Sequence, residues 1–221
     1  MAQTHVDDIH VEDVRIPIGD IELAGDLSLP EQPRGIVLFA HGSCSSRHSS
    51  RNKYVAYELN RARLATLLFD LLTEREEHEE RFTRHLRFDI GMLADRLVAA
   101  TDWALNDSRL SELSQGYFGA STGGGAALVA AVARERAIKA VVSRGGRPDL
   151  AGDALPRVQA ATLLVVGGDD GVVIELNREA YAQLRCEKRF EIVPGATHLF
   201  EEPGTLERVA QLAREWFEQH L

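Results

Sequence analysis

Between residues 11 and 30 apolar and polar positions alternate: Val14, Ile16 and Ile18, then Ile21 and Leu23, then Leu27 and Leu29. A period of two turns one face of a strand inward, and Gly19-Asp20 between the halves supplies a tight turn, so the pattern predicts a β-hairpin. The pattern then changes. Ile36-Val37-Leu38-Phe39-Ala40 is an unbroken apolar run, the mark of a strand covered on both faces. Residues 65–70, 116–120, 138–143, 162–166 and 190–193 read the same way. Between these runs, 51–62, 126–132, 173–185 and 204–219 predict helices. In 88–105 the apolar positions Ile90, Leu93, Leu97, Ala100, Trp103 and Ala104 fall at helical spacing. The charged stretch 73–81 reads as a solvated loop or helical face. Strands alternating with helices imply an α/β chain, an open and mostly parallel sheet with helices on both faces. No internal repeat or low-complexity linker interrupts it, so residues 1–221 form one expected domain, with 1–10 polar and loose.

Composition narrows the functions. With 221 residues the chain can bury a sizeable core. A formal net charge of −9 argues against nucleic acid or an anionic membrane as a partner. No apolar run approaches the roughly 20 residues that span a bilayer, and the N-terminus is acidic and polar. Cys44 and Cys186 lie far apart, which suits reduced thiols and a cytoplasmic location.

The candidate chemistry centres on Gly119-Ala120-Ser121-Thr122-Gly123, a G-x-S-x-G turn between the 116–120 run and an alanine-rich helix. Small residues two places either side let strand and helix pass closely, and the serine hydroxyl projects at the carboxyl end of the sheet. The helix start behind it offers free N–H groups and a positive dipole end. A phosphate-cradling loop is excluded, because no Gly-Lys-Ser/Thr follows and the Gly-x-Gly-x-x-Gly fingerprint is absent. In open sheets functional groups gather where strands end. There the chain carries His41-Gly42-Ser43-Cys44, Ser121, Arg144-Gly145-Gly146-Arg147, Gly167-Gly168-Asp169-Asp170 and Ala196-Thr197-His198. A serine, an acid (Asp169 or Asp170) and a histidine thus leave different strands in the order Ser, Asp, His.

That order, with the pieces G-A-S-T-G, H-G-S, V-G-G-D-D and G-A-T-H, resembles the α/β-hydrolase superfamily from about residue 20 onward. Within it the chain looks most like small, capless dienelactone-hydrolase-related proteins. Segments 39–43, 143–150 and 198–204 fit that group, and 144–161 is too short for a large inserted cap. Two positions depart: dienelactone hydrolases proper carry cysteine as nucleophile where this chain has Ser121, and Cys44 stands where relatives tend to have glycine. The resemblance implies Ser121 as nucleophile, His198 as general base and acid, and Asp170, by family spacing, as the residue that orients the imidazole. Backbone N–H groups of Thr122 and Ser43 would hold the oxyanion. Expected activity is ester hydrolysis through an acyl-enzyme on a small ester or lactone, with no cofactor and no metal. Acyl transfer by the same residues and a catalytically idle binding module stand as alternatives.

Several side chains have bland readings beside sharper ones. His41 reads as a hydrogen-bonder bracing the oxyanion loop, Asp70 as a partner for backbone or an arginine, and Cys44 as a packed thiol near the substrate. His5, His10, His78 and His85 lack metal-ligand company. Arg47, Arg144 and Arg147, with His48 and Arg51, either greet an anionic substrate at the rim or brace the loops against Asp70, Asp149 and Asp153.

Overall fold

The computed structural model describes residues 9–43, 45–83 and 85–221. The expectations for residues 1–8, His5 among them, and for Cys44 lie outside the described residues. In chain order the elements are β1 (Val11–Ile18), β2 (Ile21–Ser28), β3 (Gly35–Ala40), α1 (Ser50–Arg61), β4 (Leu64–Phe69), α2 (Glu74–Thr83) and α3 (Ile90–Asn106). Then come β5 (Ser114–Ala120), α4 (Thr122–Ala133), β6 (Ile138–Arg144), β7 (Ala161–Gly167), α5 (Gly171–Gln183), β8 (Lys188–Val193) and α6 (Thr205–His220). One sheet takes them in the order β1-β2-β4-β3-β5-β6-β7-β8. The β1–β2 hairpin closes at Ile18↔Ile21, and β2 runs antiparallel to β4. From β4 to β8 every pairing is parallel.

The unbroken apolar runs have the reason the patterning implies. Every residue of β3 and β4 is buried. Along β3, Ile36, Leu38 and Ala40 join a core with Leu93 and Leu97 of α3 and Ala126 and Ala127 of α4. The intervening Val37 and Phe39 join Val55 and Leu59 of α1 and Val209 and Phe217 of α6 on the other face. Alternation persists, but both faces are apolar. Each fully buried Leu, Val or Phe contributes about 1.5–3 kcal/mol, so the sheet is held from both sides.

The charged stretch folds more tightly than expected. It forms α2, started by a reciprocal cap: Thr73 N–H donates to Glu76 Oε2 at 2.8 Å, and Glu76 N–H donates to Thr73 Oγ1 at 3.3 Å. Arg96 of α3 grips Glu76 through Nη2–Oε1 at 2.6 Å and Nη1–Oε2 at 2.7 Å. Glu80 is fully buried and accepts the Leu86 N–H at 2.9 Å. Segment 144–161 holds only a short 3-10 stretch, Pro148–Arg157, so no inserted cap covers the carboxyl rim there. Among the described residues no helix is long and apolar enough to cross a membrane.

Candidate active site

β5 delivers Ser121 to the rim and α4 begins one residue later. Ser121 sits at φ 51°, ψ −124°, a conformation that costs a non-glycine residue of order 1–3 kcal/mol and persists only when its surroundings impose it. Here they do. The Ser121 N–H donates to Arg144 O at 3.3 Å, and its carbonyl accepts from Gly124 N at 3.0 Å and Arg147 N at 2.9 Å. A Cβ on Gly119 would stand 2.6 Å from Gly123 O, and one on Gly123 would collide with Ala40 O. Only glycines let strand and helix approach this closely.

The loop after β3 closes against the same turn. A Cβ on Gly42 would lie 3.0 Å from Ser121 Cβ, which brings the Gly42-Ser43 backbone beside the serine. His41 holds that loop from behind. It accepts the Leu71 N–H at Nε2 (3.0 Å), so Nδ1 carries the proton and donates to Gly42 O, also at 3.0 Å. Burial pushes the imidazole's pKa below its ordinary value, which keeps this ring neutral. Thr122 opens α4, and as its first residue leaves its N–H without an intrahelical partner.

The acid and the base leave β7 and β8. Asp170 caps the start of α5, and its Oδ2 lies 2.6 Å from His198 Nδ1. The Asp170 carboxylate is largely shielded, whereas the neighbouring Asp169 is exposed; Asp170 is the one that reaches the imidazole. Glu202 fixes the histidine loop by accepting from Thr197 N at 3.0 Å and Thr197 Oγ1 at 2.7 Å. Gly145, just past β6, packs against the loop, with its virtual Cβ 3.5 Å from His198 Nδ1. Among the described residues no hydrogen bond joins the imidazole to Ser121, a contact that commonly tightens only when substrate binds.

The rim arginines divide. Arg47 is consumed by Asp70, with N–H to Oδ1 at 2.8 Å and Nη1 to Oδ2 at 2.7 Å, and its Nε lies 3.3 Å from Asp26. Arg147 forks onto Asp149 at 2.8 and 2.7 Å. Arg144 differs: it is 7% exposed, and its Nε and Nη1 are buried without a hydrogen-bond partner. Its guanidinium stands 6.0 Å from the centre of the Phe118 ring. One contributor escaped sequence reasoning. Asn177, fully buried in α5, donates to Gly146 O at 2.9 Å and so steadies the turn beneath the serine. Its signal was a polar residue on the apolar face of a predicted helix.

A strained serine turn between parallel strand and helix, with an Asp–His pair on neighbouring strand ends, defines an α/β-hydrolase fold without a cap. A dienelactone hydrolase from Anabaena variabilis superposes with a TM-score of 0.95 at 59% identity, covering 96% of this chain and 99% of that one. The chain belongs to the dienelactone hydrolase family. Est1E from Butyrivibrio proteoclasticus shares the fold, with a TM-score of 0.77 at 17% identity over 94% of this chain and 98% of its own. Two curated Mycobacterium tuberculosis proteins, provisionally named phosphoribosyl transferases, are 58% identical over 210 residues, which is 95% of this chain. The chain spans 46% of their length, about half of each relative. No protein-family profile matches it.

Proposed function

We propose that the chain is a serine hydrolase that cleaves a small ester or lactone through an acyl-enzyme. The observation that carries this reading is the strained Ser121 turn on the same sheet rim as an imidazole bonded to Asp170 at 2.6 Å. In this reading His198 Nε2 takes the Ser121 proton as Oγ attacks the ester carbon, and Asp170 holds the tautomer that makes this possible and stabilises the imidazolium. The collapsing tetrahedral intermediate expels the alcohol, which receives that proton from His198. Water, activated by the same base, then releases the acid. Oxyanion charge falls to the N–H groups of Thr122 and Ser43, at the dipole end of α4. The Anabaena relative's name and the esterases among the more distant folds support an ester bond as target.

A fluorophosphonate probe tests the reading. We expect one adduct, on Ser121, by intact-mass and peptide mass spectrometry, and none on Ser121→Ala. An unchanged mass after prolonged exposure would sink the serine mechanism and favour the idle binding module. A panel of short and long acyl esters and lactones, with Ser121→Ala as blank, then ranks substrates and separates hydrolysis from transfer by the products formed.

A further inference from the structure

Leu71 lies two residues past the end of β4, and its backbone is held by two side chains from elsewhere. Its N–H donates to His41 Nε2 at 3.0 Å, and its carbonyl accepts from Arg96 Nη1. Arg96 is itself fixed, because the same Nη1 and its Nη2 clasp the two Glu76 oxygens. Glu76 in turn accepts from the Thr73 N–H at 2.8 Å and the Thr73 hydroxyl at 2.9 Å. Leu71, His41 and Arg96 are all buried, so water does not readily replace a partner that is lost.

His41 passes this anchorage on. With Nε2 occupied by the Leu71 N–H, the ring proton sits on Nδ1 and is donated to Gly42 O, which also accepts from Ser45 N at 3.1 Å. The C=O and N–H of a trans peptide point to opposite sides. Holding Gly42 O on His41 therefore turns the Ser43 N–H the other way. The virtual Cβ of Gly42 stands 3.0 Å from Ser121 Cβ, so this peptide borders the serine. One chain of hydrogen bonds thus runs from Glu76 of α2 through Arg96 of α3, Leu71 and His41 to the loop beside the nucleophile. A buried ion pair is a costly route to stability, and apolar residues of similar volume often serve as well; what such a pair adds is one fixed geometry.

We propose that Arg96, held by Glu76, is a positioning residue for the oxyanion hole: through Leu71 and His41 it sets the direction of the Ser43 N–H. The proposal rests on the serine hydrolase reading above, in which the Ser43 and Thr122 amides share the developing charge. The two donors differ in what aims them. Thr122 is the first residue of α4 and takes its direction from the helix, whereas Ser43 sits on a loop and depends on the bonds behind it. Arg96 acts at a distance from the reacting carbon, so its effect falls on the tetrahedral intermediate and on kcat rather than on ground-state binding.

Paired esters, identical save for C=O or C=S at the reacting carbon, read the hole directly, because sulfur accepts hydrogen bonds weakly and gains little from it. Arg96→Met should lower kcat on the oxygen ester by about tenfold or more, with KM held within about threefold, and slow the thiono ester by less than about threefold. Arg96→Lys keeps the charge and one donor for Leu71 O, and should restore most of the loss. The ratio between the two esters is internal to each sample, so an unfolded fraction does not alter it. Asp170→Asn, which disables the base, should slow both esters alike. His41→Leu should reproduce the Arg96→Met pattern, and the double variant should be no slower than the slower single, since both cut one chain. Equal losses on both esters, or additive losses in the double variant, overturn the proposal and leave the ion pair as a brace for α2. Failure of the unaltered protein to cleave either ester overturns the serine reading, and the proposal with it; that result is read before any Arg96 variant is assayed.

Discussion

Asp170 and Asp169 are adjacent carboxylates with opposite fates, and the difference lies in where the turn after β7 points them. Asp170 reaches His198 at 2.6 Å while Asp169 stands in solvent. Asp170→Asn should therefore lower kcat by up to about 10⁴-fold, the scale of lost tautomer control in a serine protease, whereas Asp169→Asn should change it less than about threefold. Steady-state kinetics on one ester decides; equal losses would place the orienting acid elsewhere. His41 carries the second residue-scale prediction. Its pKa is lowered in the fold, so the folded state refuses a proton that the unfolded chain accepts near pH 6.5. Stability from this group is complete above that pH and is lost as pH falls through it, at up to about 1.4 kcal/mol per pH unit. Denaturant midpoints between pH 7.5 and 5 should show this slope, and His41→Gln should flatten it. Serine, imidazole and acid order were all legible along the chain. The choice between the aspartates was not readable from the residues alone, because a two-residue acid pair gives no hint of which carboxyl turns inward. Pairing of the rim arginines with nearby acids was among the readings of the sequence, but which arginine takes Asp70 was not, since Arg47 and Asp70 meet across 23 positions of sequence.

At the scale of elements, the apolar runs foretold β3 to β8 and the spacing foretold α1 and α3 to α6, because burial on both sheet faces writes itself directly into the pattern. α2 was less legible. Its run of charges resembles a solvated face, and the groups that draw it in, Arg96 and the Leu86 amide, lie well downstream. The Glu76–Arg96 fork is the brace worth testing. Arg96 is nearly buried, and its guanidinium, with the Thr73 cap, holds the Glu76 carboxyl at a pKa of about 2. A depressed carboxylate stabilises above its unfolded pKa near 4.3, and that stability is lost as pH falls toward 2. At neutral pH Glu76→Gln should cost about 2–3 kcal/mol and lower the melting temperature by about 5–10 °C in calorimetry. A shift below about 2 °C would show the fork to be screened by solvent.

For the whole molecule, the sheet order sets β5, β6, β7 and β8 side by side, so residues distant in sequence share one rim. Gly123→Ala tests how strictly that assembly depends on close packing. Its methyl would drive into the Ala40 carbonyl, and either the β3–β5 neighbourhood opens or the serine turn shifts. Probe labelling of Ser121 should fall at least a hundredfold even in the fraction that remains folded by circular dichroism.

The Asp170–His198 contact has a mechanical meaning. Asp170 heads α5, whose Ala180 belongs to the core under α3 and α4; His198 hangs on the loop entering α6, whose Phe217 belongs to the opposite core. The bond is a rivet between elements rooted in the two layers, set beside the backbone bond from Asp169 N–H to Ala196 O at 3.0 Å. Layers that slide by an ångström on warming can keep their apolar contacts, which are non-directional, but not a 2.6 Å hydrogen bond. Heat should silence this protein before it melts. Turnover measured along a temperature ramp should decline several degrees ahead of the loss of secondary structure, and return on cooling.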